Sequence, residues 1–452
     1  MKLRRFFKKK KNKVGVIAIS LPRERTDLAE IFYAGAVASL KKEGFEVSSH
    51  KGLIFDTSIC IQTANKMKAE GVSSILLLLG TWVDTPVVVD TIREVEIPFG
   101  IWAEDNPGSF SLTAGGIVHG SLDELGINHR FFYGSPDSPD LMSEISTFVN
   151  AASCIKKLNN KKLCVIGGRV SGMYTTMADI IQVKKIFGVE IVHVDSLRVY
   201  LEAINAKSEE IERIKQEIIP QFGKIDVPNQ ALDRSFRLYF ALKKILISDE
   251  CEIAAVKCMD EMINNYASFC LANSLLNDEG FTISCEGDIN AALTMKILGE
   301  ISGGIALFGD INYLDQQKKI LRIVNCGSMP SLMAESRKDV DLASQYEYIS
   351  KAGGATTVFA IKDSPVTGAR LFRINGEYGM VVFEGASFKQ PKEKFKEARE
   401  YWPHAFIKLE CNTAALIQNL RSNHMHVSFG KYLNVLEEFC RLKNIKVTVL
   451  SK

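Results

Sequence analysis

The stretch Phe281-Thr-Ile-Ser-Cys285-Glu286-Gly287-Asp288-Ile-Asn-Ala-Ala-Leu-Thr-Met-Lys296 decides how the chain is read. Its first five residues are rich in apolar and β-branched side chains, as a short strand requires. Two carboxylates flanking a glycine come next. Apolar residues then recur at Ile289, Ala292, Leu293, Met295, Ile297 and Leu298, a helical pattern. The stretch is strand, tight turn, helix, with Glu286 and Asp288 at the strand's C-terminal end. In open α/β sheets that edge is where ligands bind. A second run, Ile305-Ala-Leu-Phe-Gly309, ends in Asp310. Read as a neighbouring strand, it brings a third carboxylate to the same edge, able to help hold a divalent cation or to work as acid or base. A plainer reading makes Asp288 a helix cap and Asp310 a turn residue. The residues alone leave both open.

Outward from this stretch the chain alternates strands and helices, the pattern of a doubly wound parallel sheet. Val14–Ile19, the continuous apolar run Ser73–Gly80 and Pro98–Trp102 read as strands of a first α/β domain, with an amphipathic helix from Asp27 to Lys42. A helical pattern over 139–158 leads to the hinge Asn159-Asn-Lys-Lys162. A second α/β domain restarts at Leu163-Cys-Val-Ile166. The glycines that follow, Gly167, Gly168 and Gly172, miss the Gly-x-Gly-x-x-Gly spacing of a dinucleotide site. After about residue 320 short β-rich runs follow one another without intervening helices, as in an antiparallel sheet or barrel. The expected fold is therefore two α/β domains and a β-rich, barrel-like C-terminal domain with a closing helix. The expected boundaries are a basic tail over 1–13, then 14–158, 159–320 and 321–452.

The formal net charge is +3 over 452 residues. The first thirteen residues hold eight Lys/Arg and no acid, which leaves the rest of the chain at −5. A mildly acidic body argues against nucleic-acid binding, and the tail reads as a frayed terminus. No stretch has the roughly 20 apolar residues of a membrane-spanning helix. None of the ten cysteines forms a Cys-x-x-Cys pair, which is the usage of a reducing compartment. The expected location is the cytoplasm.

Three segments together resemble the metal-dependent L-fucose isomerases, with L-arabinose isomerases as more distant relatives. They are Cys285–Met295 with Leu307-Phe-Gly-Asp310, in which Glu286 and Asp310 stand 24 positions apart; Ser422-Asn-His-Met-His426; and Gly167-Gly-Arg-Val-Ser-Gly-Met-Tyr174. The resemblance implies two Rossmann-like domains ahead of the β-rich one, and metal binding by Glu286, Asp310 and His424. It implies sugar contacts from Met173, Trp402 and Asn423. It also implies a homo-oligomer, a trimer or hexamer, in which a neighbouring subunit helps close the site. The chain is shorter than a typical fucose isomerase, has Asp288 as arabinose isomerases do, and has Asn325 where some relatives place a histidine.

Two carboxylates and one imidazole suit Mn²⁺, with Mg²⁺ or Co²⁺ as other hard ions. A metal so held acts as a Lewis acid on a sugar's adjacent carbonyl and hydroxyl oxygens and favours an enediolate. Glu286 and Asp310 are then expected to be the acid/base pair as well as ligands. Asp288 and Lys257, the latter ending the run Ile253–Val256, are expected to face substrate, and His426 stands outside the set. The expected activity is aldose–ketose isomerisation of a free sugar such as L-fucose, D-arabinose or L-arabinose. Two alternatives are an isomerase of a sulfonated or phosphorylated sugar, for which Arg23, Arg169 or Lys257 supplies charge, and a non-catalytic sugar-binding or regulatory protein.

Overall fold

A run such as Ser74-Ile-Leu-Leu-Leu-Leu79 offers water no polar face, so it is stable only as a strand covered on both sides. The computed structural model describes residues 11–450, and every residue of that run is buried. It is the third of five parallel strands: β1 (Lys13–Ile19), β2 (Glu46–Ser49), β3 (Ser74–Leu79), β4 (Phe99–Ala103) and β5 (Arg130–Tyr133), in the order β2-β1-β3-β4-β5. Alternate residues of β3 enter opposite cores. Ile75, Leu77 and Leu79 pack with Ala64, Val88 and Val118; Leu76 and Leu78 pack with Phe32, Ala36 and Ile145. Trp102 lies wholly in the second core, edge-on to Phe32, and its indole N–H donates to the Gly134 carbonyl. Among the described residues, 11–157 and 434–444 form one compact unit, and 158–433 with the final strand form the other. The expected basic tail lies, for residues 1–10, outside the described residues; Lys13 already belongs to β1.

The second unit carries a four-stranded parallel sheet and a barrel. β6 (Lys162–Ile166), β7 (Glu190–Val194), β9 (Ile253–Val256) and β10 (Thr282–Cys285) are ordered β10-β9-β6-β7. The two-residue β8 (Ile225–Asp226) joins instead a small sheet with β13 (Asp341–Ser344) and β14 (Ala355–Val358). The barrel is built from β11 (Ala306–Asp315), β12 (Ile320–Val324), β15 (Ser364–Ile374), β16 (Glu377–Ser387), β17 (His404–Leu409) and β18 (His424–Phe429). Its ring runs β15-β18-β11-β12-β17-β16 and closes through the β15–β16 hairpin, with β19 (Lys446–Leu450) added in parallel to β16. The architecture is thus α/β with two Rossmann-like parallel sheets followed by a closed, barrel-like sheet. Among the described residues no helix is long and apolar enough to cross a membrane.

One strand departs from expectation. Ala306–Asp315 is not the parallel neighbour of β10; it is a barrel strand, antiparallel to β12 and β18, with Asp310 in mid-strand. The cause lies in the helix Ile289–Ser302, whose residues are buried without a break from Ile289 to Leu298. A helix apolar all round is packed on every side. This one touches β9 and β10 of the sheet and β15 and β18 of the barrel, so the chain leaves it into the barrel.

Within the barrel His404 is fully buried, stacked on Phe395 at 4.3 Å between ring centroids, and its Nδ1–H donates to the Trp402 carbonyl at 2.9 Å. Burial lowers its pKa to about 4. The unfolded chain, with a histidine pKa near 6.5, therefore binds a proton that the folded chain rejects, so stability falls as pH drops from about 6.5 to about 4. Urea unfolding at pH 7, 5.5 and 4.5 is expected to show a loss on the order of 3 kcal/mol from this group, and His404→Gln is expected to flatten that part of the profile.

Candidate functional site

Glu286 follows directly on β10 in a left-handed backbone conformation (φ 60°), which a residue with a side chain adopts only under constraint. The constraint is its neighbour. Gly287 is also left-handed (φ 66°), and a Cβ there would stand 2.3 Å from the Gly168 carbonyl oxygen, so only glycine fits. This double turn brings the Glu286 carboxylate to the sheet edge beside the glycine loop that follows β6. Asp288 then starts the helix: its Oδ1 accepts the Ala291 N–H at 2.8 Å. The cap reading of Asp288 holds, and the residue does more.

The barrel supplies the other half. In the antiparallel β11–β18 pair, Asp310 lies directly opposite His424. His424 is fully buried against the Phe308 ring at 4.3 Å. Its Nδ1 lies 2.7 Å from Asp288 Oδ2, and its Nε2 lies 2.8 Å from Glu286 Oε2 and 3.7 Å from Asp310 Oδ1. Asn423 donates its amide N–H to Asp310 Oδ1 at 2.8 Å. Glu286, Asp310 and His424 thus offer three ligand atoms all within 4.8 Å of one another.

Burial is the largest influence on each of these groups. It raises the Glu286 pKa to about 7 against the lowering effect of His424, and it raises that of Asp310. Burial alone would lower His424, but its hydrogen bonds to Asp288 and Glu286 raise it to about 10. Asp288 is fully buried too, yet the Arg370 charge and the His424 hydrogen bond hold it well below the ordinary carboxylate range. Two carboxylates drawn up around one imidazole nitrogen form a site short of positive charge. That donor set, with oxygen in excess and one nitrogen, fits a divalent metal. Asp288 would then stand behind the metal-facing histidine, fixing its tautomer with the proton on Nδ1.

The residues expected to contact substrate fall in different places. Asp288 differs from expectation: both oxygens are already engaged, Oδ2 by His424 and by Arg370 at 2.7 Å, and the side chain has no exposed surface. Asn423 lies against Asp310. Lys257, at the sheet edge next to β10, pairs with Glu261 at 3.1 Å. Met173 is half-buried in the turn after β6, its carbonyl accepting the Thr176 hydroxyl. Trp402 is buried just ahead of β17, its indole N–H on Gln345, two strands round the barrel from Asp310.

Two residues of the cluster were not expected. Arg370, in mid-strand on β15 and 1% exposed, donates to Asp288, to the Thr175 carbonyl at 3.2 Å and to His426 Nε2 at 3.2 Å. A lone arginine inside Val366-Thr-Gly-Ala-Arg-Leu-Phe372 was the available signal, since an arginine in an apolar strand requires a buried partner. His426 follows His424 by two residues, which places both on one face of β18; the alternation rule itself contained that signal.

The C-terminal part of the chain, residues 323–451, matches the family model for the L-fucose isomerase C-terminal domain. The sulfoquinovose isomerase of Priestia megaterium is 22% identical over 384 residues, 82% of this chain and 84% of the relative. That of Alkalicoccus urumqiensis is 23% identical over 313 residues, 68% of each. An ABC-transporter solute-binding protein of known structure from Burkholderia multivorans matches 66% of this chain and 95% of its own at 14% identity with a TM-score of 0.20, too slight a likeness to bear on function. The C-terminal domain is thus that of the L-fucose isomerase family, and over most of its length the chain is similar to sulfoquinovose isomerases. It is accordingly an isomerase-type enzyme, and the reading as a non-catalytic sugar-binding protein is set aside.

Asp288→Asn keeps the shape of the side chain but removes the charge that orients His424 and pairs with Arg370. Titration of the chelator-treated variant with Mn²⁺ is expected to show affinity about 10–100-fold weaker than the parent. Unchanged affinity would separate Asp288 from the metal.

Proposed function

We propose that the protein is a metal-dependent aldose–ketose isomerase whose substrate is a sulfonated sugar. The observation that carries the choice of substrate is that sulfoquinovose isomerases align with as much as 82% of the chain. In this reading Glu286, Asp310 and His424 hold the ion, with Mn²⁺ the expected one. When bound, the metal supplies Lewis-acid polarisation of the open-chain sugar's neighbouring carbonyl and hydroxyl oxygens.

The chain's own residues do the rest. Glu286 and Asp310 approach from the sheet and from the barrel, and one of them takes the proton from C2 and returns it to C1. Asp288 keeps the His424 proton on Nδ1, so that Nε2 faces the two carboxylates. Asn423 steadies Asp310 through the 2.8 Å amide bond. Met173, Trp402, Asn423 and Lys257 remain the proposed sugar contacts. Arg169 and Lys257, from loops at the same sheet edge as Glu286, are proposed to receive the sulfonate; the Arg169 guanidinium lies over the Tyr174 ring at 5.4 Å. The proposal includes a homo-oligomer in the cytoplasm whose neighbouring subunit helps close the site. Exposed apolar side chains near the Arg169 loop, Tyr174, Met177, Ile180 and Ile181, support that contact. The family match over the C-terminal domain favours a second reading, in which the substrate is a neutral aldose of the L-fucose or L-arabinose kind.

Isomerase assays with Mn²⁺ on sulfoquinovose, D-glucose, L-fucose, D-arabinose and L-arabinose decide between them. A kcat/KM for the sulfonated sugar about 100-fold above every neutral one is expected, as charge recognition gives. A neutral sugar turned over faster would establish the second reading. Glu286→Gln is expected to lower kcat by about 10²–10⁴-fold or more, and product formed in D₂O is expected to carry deuterium. Wild-type turnover by the variant would remove Glu286 from the acid/base pair.

A further inference from the structure

The unit formed by residues 11–157 and 434–444 holds a second group of metal-ligating side chains, none of them shared with the isomerase site. His119 and Asp123 lie four residues apart on the helix Ser111–Glu124, and so share one face of it. His129 comes from the loop that turns back into β5. His119 Nδ1 lies 2.7 Å from His129 Nε2 and 3.7 Å from an Asp123 oxygen, and all three ligand atoms fall within 4.8 Å of one another.

The protonation pattern follows from the partners. His129 Nδ1 lies 2.8 Å from the Ile127 carbonyl oxygen, which can only accept, so Nδ1 carries the proton and Nε2 presents its lone pair to the cluster. A backbone carbonyl that fixes the tautomer in this way is the outer-shell arrangement found behind metal-bound histidines. His129 is buried, so its ring is held in place against the cluster. His119 needs only to carry its proton on Nε2 for both rings to offer lone pairs to one point. Two imidazole nitrogens bound at about 2.0–2.1 Å to a tetrahedral ion stand roughly 3.3 Å apart. The pair therefore has to open by about half an ångström, well within the reach of a part-exposed side chain such as His119. Asp123 is exposed in the last turn of the helix, with room for its carboxylate to turn toward the pair.

We propose that His119, Asp123 and His129 bind a divalent transition-metal ion, zinc by preference, as a structural clasp. Two nitrogens and one carboxylate with a fourth position open to solvent is a donor set that zinc takes. The ion joins the last turn of the helix to the loop at 125–129. That loop is also the seat of the C-terminal helix Leu433–Leu442: Arg441 donates to the His129 carbonyl and the Asn128 side-chain oxygen, both at 2.9 Å, and Asn128 donates back to the Arg441 carbonyl at 3.1 Å. A clasp here ties residues near position 120 to a helix from the far end of the sequence.

The test uses the full chain, stripped with a chelator and titrated with Zn²⁺ and then Co²⁺, with metal counted by mass spectrometry and the visible Co²⁺ spectrum recorded. The unmodified protein is expected to take up two ions per chain. The double variant His119→Gln with Asp123→Asn, both part-exposed side chains, is expected to take up one while keeping isomerase activity. In Glu286→Gln with Asp310→Asn, one Zn²⁺ is expected to remain and to slow amide exchange over 125–131. Uptake of a single ion by the unmodified protein, or two ions still bound by the His119/Asp123 variant, overturns the proposal. His129→Gln serves as a further check, and the exposed pair decides the matter if that buried replacement does not fold.

Discussion

The hydrogen bond between Asp288 and His424 is the interaction around which the second unit is arranged. It joins the N-cap of a buried helix to a barrel strand, across 136 positions of sequence. Asp288 is wholly inside the protein, and so is Arg370, its other partner. Buried charges are tolerated only when paired and hydrogen-bonded, and removing one partner leaves the other as a costly unpaired ion. The sheet, the helix and the barrel therefore cannot separate without exposing or stranding these charges. The same carboxylate caps the helix, orients an imidazole and neutralises an arginine, which leaves it no free oxygen for a ligand.

Each half of the unit contributes what the other cannot. A parallel sheet ends its strands at an open edge, and the left-handed Glu286-Gly287 turn puts a carboxylate there. An antiparallel barrel instead holds cross-strand pairs in fixed register, which sets Asp310 opposite His424. The helix between them has no exposed apolar face to shed, so the two halves are joined through its whole surface. Two of the donors, Asp310 and His424, are in consequence mounted on paired strands and the third on a tight turn whose glycine is fixed by packing, which is the condition for a metal site of defined geometry.

The contrast with the His119 group is instructive in physical terms. There the donors come from a helix end and a loop, two of them part-exposed, with only His129 held from behind. Such a site is suited to closing a connection, because its ligands are free to adjust; the buried set, locked by Arg370 and Asp288, is suited to repeated chemistry on a bound molecule.

Periodicity and turn chemistry in the sequence by themselves determined the strand–turn–helix at 281–302, the two alternating α/β regions and the change to β-rich structure beyond residue 320. These are local properties: side-chain spacing reports which face is buried, and glycine between carboxylates reports a turn. Resemblance to a family, not spacing, brought Glu286, Asp310 and His424 into one group. Only the tertiary structure decided that 306–315 is a barrel strand, that Asp288 faces inward, and that Arg370 and His426 belong to the cluster. An apolar run states that it is covered without stating by what, and a strand's partner is chosen by contacts far away in sequence. Arg370 meets Asp288 across 82 residues, and a separation of that length leaves no local signature in either segment.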